Sequence, residues 1–251
     1  MGARMARKPK SDRIFDDASP YVDRFGLLLI VTIASVAMLS LIDVDRSTDE
    51  ASAALGPMVT TVFVGVTLLL ALRASGVSHR WWRLATLLIS ILVVSYLVLA
   101  VTIAAGAIPA SRAVVAAPPT TLIVLAVLAP VIVVRRLLHH REISRGTLQG
   151  AISAYLLIPV AFFYAFEAVN AYAGTPFFGD PQPSTSFMYF SLSTITTVGY
   201  GDLTAAGDLG RLLATSEAII GQIYLVTFVA MIVALFAQRR NGPKADESPA
   251  A

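Results

Sequence analysis

Long apolar runs separated by short polar breaks organise this chain. Six of the runs reach membrane-spanning length, for which about 20 apolar residues suffice. They predict helices over about 24–42, 54–73, 84–106, 117–138, 147–172 and 209–238. Gly56-Pro57 opens the second run, where proline suits a first helical turn. Pro130 and Pro159 lie inside the fourth and fifth, and Pro130 is expected to kink its helix. Between the fifth and sixth runs, a Gly- and Pro-rich stretch over 174–183 precedes a shorter apolar segment. Ser184 is placed to cap a short helix over 184–196. Phe187, Tyr189, Phe190, Leu192 and Ile195 make that helix largely apolar, as a helix packed inside a membrane protein should be.

The polar breaks orient the runs. Cations cluster over 1–13, 73–83, 135–145 and 239–240, whereas Asp43, Asp45, Asp49 and Glu50 follow the first run. With six spans all four basic flanks fall on one side, which is expected to be cytoplasmic and to hold both termini. His79, Arg80, Trp81, Trp82 and Arg83 are expected in a cytoplasmic loop at the interface. The start of the chain lacks a myristoylation pattern, and its first apolar run lacks a cleavage site, so that run is read as an uncleaved span.

Composition agrees. Hydrophobic residues make up 56% of the 251 and charged ones 14%, with a mean hydropathy of +0.73. That is the profile of a polytopic membrane protein. The net charge of +3 is small and its basic segments flank spans, which argues against nucleic-acid binding. No cysteine is present, so disulfides and thiolate chemistry are excluded. No Gly-rich phosphate loop or His/Glu metal spacing supports an enzyme, and no cofactor is expected besides the ions described next.

The residues that give the chain its chemistry are Thr196-Thr197-Val198-Gly199-Tyr200-Gly201-Asp202, between the short helix and the last run. An ion entering a narrow pore must exchange its water for other oxygens, and rings of backbone carbonyls supply them. An extended segment advances about 3.3 Å per residue, so Thr197, Val198, Gly199 and Tyr200 can offer stacked rings. Pointing successive carbonyls one way needs unusual dihedrals, which Gly199 and Gly201 tolerate. The Thr197 hydroxyl can add a ring at the inner mouth. Val198 and Tyr200 are expected to point away from the axis and wedge against the short helix.

Over about 147–238 the chain resembles the potassium channel family, whose selectivity filter carries this Thr-Val-Gly-Tyr-Gly run. The resemblance implies an all-α membrane protein: six transmembrane helices, with a re-entrant pore helix and the filter between helices five and six. It implies K+ held at Thr197, Val198, Gly199 and Tyr200, supported by Thr196, Gly201, Asp202 and Tyr189. Tyr189 is the expected donor to Asp202. Some members carry a glutamate where this chain has Ser193, so that charge pair is missing here. One filter per chain implies a homotetramer around one pore, passively conducting K+. Gly221 matches the family's hinge glycine, and close packing against the pore helix would equally call for glycine. Glu217 lies one turn before it and is expected to bond a Ser or Thr behind the pore helix, or else to titrate in gating. Glu167 resembles a glutamate of six-span members, read as bonded to the pore module.

The domain reading is a tail over 1–20, a four-helix region over 21–138, a linker over 139–146, the pore domain over 147–238 and a tail over 239–251. Voltage-gated relatives carry arginines at every third position of the fourth helix, yet no Lys or Arg lies between Ala113 and Val134. Conventional voltage sensing is therefore not expected. His139 and His140 are candidates for titration in the linker, and more simply interfacial basic residues. Arg135, Arg136, Arg141 and Arg145 are candidates for anionic lipid headgroups. Competing readings are a weakly selective cation channel, against which Tyr200 argues, and a non-conducting pore-fold sensor subunit. Composition points to the cytoplasmic membrane as the site.

Overall fold

The computed structural model describes residues 25–41, 50–105, 120–138 and 145–241. The terminal tails over 1–20 and from 242, the acidic residues over 43–49, the connection over 106–119 and His139, His140 and Arg141 lie outside the described residues. Every regular element described is helical: α1 Phe25–Leu41, α2 Glu50–Ala74, α3 His79–Ala104, α4 Thr120–Leu138, α5 Arg145–Tyr172, α6 Ser184–Ile195 and α7 Asp208–Ile223. A π-helical segment, Tyr224–Val229, joins α7 to α8, Ala230–Asn241.

Four stretches are long and apolar enough to cross a bilayer: His79–Val98, Thr120–Leu138, Gly146–Tyr172 and Asp208–Ala234. Phe25–Leu41 and Thr60–Ala74 are apolar but shorter. The 17 residues of α1 rise about 26 Å, a little under a hydrocarbon core of about 30 Å.

In a membrane, close packing rather than apolar burial holds helices together, and small residues permit it. α5 is the hub: α1 and α4 pack along it, α6 sits against it, and α7 closes over both. A Cβ on Gly150 of α5 would come within 2.9 Å of Leu137 in α4 and 3.0 Å of Phe25 in α1. Three helices therefore meet at one small residue. α2 joins α1 through a Ser35–Thr67 hydroxyl pair at 2.6 Å and carries α3 on its other side. A Cβ on Gly65 would fall 2.7 Å from Ile89 of α3. α3 shows little burial elsewhere: Leu84, Leu87, Ile91, Val94 and Val98 are exposed, as residues facing acyl chains would be.

Two expectations need correction. His79 to Arg83 form the first turns of α3 rather than a loop. The connection to α2 is only Ser75–Ser78, with Gly76 at φ 70°. Arg and Trp are unexceptional in helices, and the Arg73 guanidinium over the Trp82 ring at 4.6 Å ties the turn together. Charge told where these residues lie, not how the chain runs through them. Secondly, Pro183 rather than Ser184 holds the N-cap position of α6, in extended conformation, and its side chain makes no cap bond. Ser184 is already the first helical residue, following Pro183 at φ −64° and ψ 156°.

Candidate functional site

α6 and the residues that follow it are held from three sides. Phe187, Met188, Ser191 and Ile195 form its buried face. Outside, Phe166 of α5 and Phe177, Phe178, Phe187 and Phe190 pack as one ring cluster, with centroids 4.8 to 5.9 Å apart. The Asn170 side chain accepts from the Phe177 amide at 2.9 Å, and the Phe177 carbonyl accepts from Ala206 N at 2.9 Å. These bonds fix both arms of the loop around 196–202.

The end of α6 shapes the loop. Thr197 N donates to Thr194 O at 2.9 Å and Val198 N to Ser193 O at 3.0 Å. That pair of bonds is a Schellman cap, whose C′ residue must be left-handed. Glycine usually stands there; here it is Thr197, at φ 58°. A β-branched residue in that region costs about 1–2 kcal/mol. Gly199 (φ 52°) and Gly201 (φ 80°) follow, so every second residue from 197 to 201 has positive φ. A regular strand keeps negative φ throughout and alternates its carbonyls; a segment with positive φ at every second residue departs from that pattern. Neither glycine has an atom within 4 Å of a notional Cβ, so conformation and not space requires them. The glycines were legible from sequence; Thr197 was not, because its conformation is dictated by the helix cap behind it.

The supporting residues are placed as follows. Tyr189 Oη donates to Asp202 Oδ2 at 2.9 Å. The Tyr200 ring stacks on Tyr189, 6.1 Å between centroids and 9° from parallel. Val198 is 53% and Tyr200 71% exposed in the single chain. The expected wedge is thus one-sided: Tyr200 meets α6, and most of both side chains is uncovered. Thr196 Oγ1 donates to Leu192 O at 2.6 Å. Thr197 Oγ1 donates to Thr196 O at 2.7 Å and accepts from Gln222 Nε2 at 3.2 Å. Gln222 and the π-helical segment were not singled out in the sequence; a polar residue beside Gly221 in an apolar helix was the available signal.

Behind α6, Glu217 is fully buried. Ser191 Oγ lies within hydrogen-bond distance of both Glu217 Oε1 (2.5 Å) and Pro159 O (2.9 Å), and its single proton serves one of them at a time. Glu217 Oε2 has no protein partner. This triangle bolts α6 to α5 and α7 at one level. Lower down, a Cβ on Gly221 would lie 2.5 Å from Ile195 Cγ1 and 3.0 Å from Ile195 O. Glycine at 221 therefore serves the closest approach of α7 to the end of α6, and the helix runs on unbroken to Ile223. Beyond it, Tyr224 Oη donates to Ala151 O at 2.8 Å and its ring stacks on Tyr155. Glu167 is half-buried near the end of α5. Arg135 is exposed and Arg136 half-buried at the end of α4; Arg145 is the first residue of α5, with its side chain outside the described residues. No group of three or more His, Asp or Glu that would hold a metal occurs among the described residues.

Comparison with known proteins meets this geometry. A family model described as an ion channel matches residues 152–238, from α5 through α8. A potassium voltage-gated channel protein of Caenorhabditis elegans is 33% identical over 96 residues, 36% of this chain and 18% of the relative. The inward rectifier potassium channel Kirbac3.1 of Paramagnetospirillum magnetotacticum is 36% identical over 62 residues, 25% of this chain and 21% of its own length. Two pore potassium channel b of Oryza sativa subsp. japonica is 35% identical over 78 residues, 31% of this chain and 20% of its own. The matches thus span about a fifth of each relative. No solved structure matches the chain. The resemblance to potassium channels holds, and it covers the part of this membrane protein that carries the loop.

Proposed function

We propose that the chain is a potassium-selective channel subunit and that four copies surround one pore, each contributing Thr197, Val198, Gly199 and Tyr200 as carbonyl rings. The observation that carries this is positive φ at every second residue, Thr197, Gly199 and Gly201, immediately after a helix end. Aligned carbonyls are what a dehydrated cation needs, and the negative end of the α6 dipole lies beside them. One chain cannot enclose an ion. The exposed Val198 and Tyr200, with Leu212, Ile219 and Ile223 along α7 and Val226 in the π-helical segment, leave an apolar flank for neighbouring copies. Closed rotational symmetry is the usual way such a flank is satisfied.

In this reading α6 is the pore helix, α5 and α7–α8 are outer and inner helices, and six spans place both termini in the cytoplasm. Conduction is passive, with K+ the only bound species, and voltage sensing is not of the arginine-ladder kind. Expected sites are the cytoplasmic membrane and, at Arg135, Arg136, Arg141 and Arg145, anionic headgroups. The test is flux from proteoliposomes. Loaded with K+ and diluted into Na+ with a proton ionophore and a pH dye, they should take up protons as K+ leaves. No uptake in that gradient, together with uptake from Na+-loaded vesicles diluted into medium free of both ions, would refute selectivity.

A further inference from the structure

We infer that Gln222 sets how tightly the innermost ring of the loop holds a cation, by occupying one lone pair of the Thr197 hydroxyl. The inference rests on the filter reading above. A threonine hydroxyl has one proton and two lone pairs. In this chain the proton is directed to Thr196 O at 2.7 Å. With that proton committed, the contact with Gln222 Nε2 at 3.2 Å has one sense: the carboxamide donates and the hydroxyl accepts. One lone pair per chain is left for an ion.

The helix geometry accounts for the reach. Gly221 faces Ile195 at the end of α6, where any side chain would clash. The next residue is turned about 100° around the helix, so Gln222 lies beside the loop's inner end while α7 is held as close as glycine allows. Gln222 is exposed in the single chain, as is Thr197. With the loops on a common axis, four carboxamides would ring the inner mouth. Their N–H groups are positively polarised and share the oxygen that the cation would use. The consequence is a loosened innermost site. A conducting pore needs its sites weak enough to release the ion, and Gln222 supplies that weakness at the inner, cytoplasmic-facing end.

The test uses the purified full-length tetramer. K+ is titrated calorimetrically into protein in Na+ buffer, and half-saturating internal K+ is read from single-channel current. Gln222→Met keeps the length and removes the donor; Gln222→Asn keeps the amide and falls one methylene short. Both should tighten K+ binding about threefold to tenfold, the worth of one hydrogen bond. In a Thr197→Val background, which lacks the hydroxyl, neither should change it. Unchanged or weaker K+ binding in both variants, or an effect that survives Thr197→Val, would overturn the assignment. Wild-type protein that shows no preference for K+ over Na+ would instead remove the filter reading itself, a separate result.

Discussion

Gly221→Ala separates two roles for one residue. The added Cβ would sit 2.5 Å from Ile195 Cγ1 and 3.0 Å from the Ile195 carbonyl. Ordinary carbon contacts begin near 3.4 Å, so the shortfall is about 1 Å. Ile195 is 1% exposed and has nowhere to turn. Overpacking of this size costs about 1–3 kcal/mol, while alanine regains about 1 kcal/mol of helix propensity over glycine. Net stability should therefore fall by no more than about 2 kcal/mol. The strain is relieved most directly by moving Ile195 outward, and Thr196 and Thr197 move with it. Losing about 1–2 kcal/mol of fit to K+ lowers the K+ to Na+ permeability ratio about fivefold to thirtyfold. Bilayer reversal potentials and thermal unfolding of the purified protein read both effects, with Gly207→Ala, which has open space around it, as the control. A bending hinge predicts otherwise: alanine would stiffen and stabilise the helix, reduce opening and leave selectivity intact. That pattern would refute the packing argument.

Three further outcomes follow from the same geometry. Tyr189→Phe removes the 2.9 Å bond to Asp202, worth about 0.5–1.5 kcal/mol; current should decay faster during sustained opening, and wild-type decay would contradict a bracing role. Glu217→Gln keeps an oxygen for Ser191 and should fold nearly normally, whereas Glu217→Leu removes the bond inside a buried triangle and should lower stability by about 1–3 kcal/mol; equal melting of the two would sink the bolt between α6 and α7. Gly65→Leu should part α2 from α3 at Ile89 and lower yield and melting temperature, with no change in reversal potential; altered selectivity would mean that α2 and α3 act on the loop.

Much of this architecture lay open in the sequence, for local reasons. Pro183 and the Gly-rich run before it mark the start of α6, and the glycines at 199 and 201 announce the positive dihedrals that the chain adopts there. The Tyr189–Asp202 bond, expected from the family pattern, is present, and Glu217 pairs with Ser191, within the Ser or Thr expected behind the short helix; a carboxyl group inside an apolar helix must find a partner. What stayed hidden depends on contacts distant in the chain. Thr197 is left-handed because two amides cap α6. Gln222 reaches a residue 25 positions earlier, set by how closely Gly221 lets α7 approach. The π-helical turn over Tyr224–Val229 leaves no mark in an apolar run whose residues suit either helix. Arg80 and Arg83 sit in α3 because cation clusters report the membrane interface and say little about backbone conformation.

The central claim is that Thr197 to Tyr200 of four copies form a K+-selective ring stack. The reversal potential of the purified protein in a planar bilayer, with K+ on one side and Na+ on the other, tests it most directly. The account predicts reversal near the K+ equilibrium potential, with little steepness of current against voltage. Reversal near zero would contradict it.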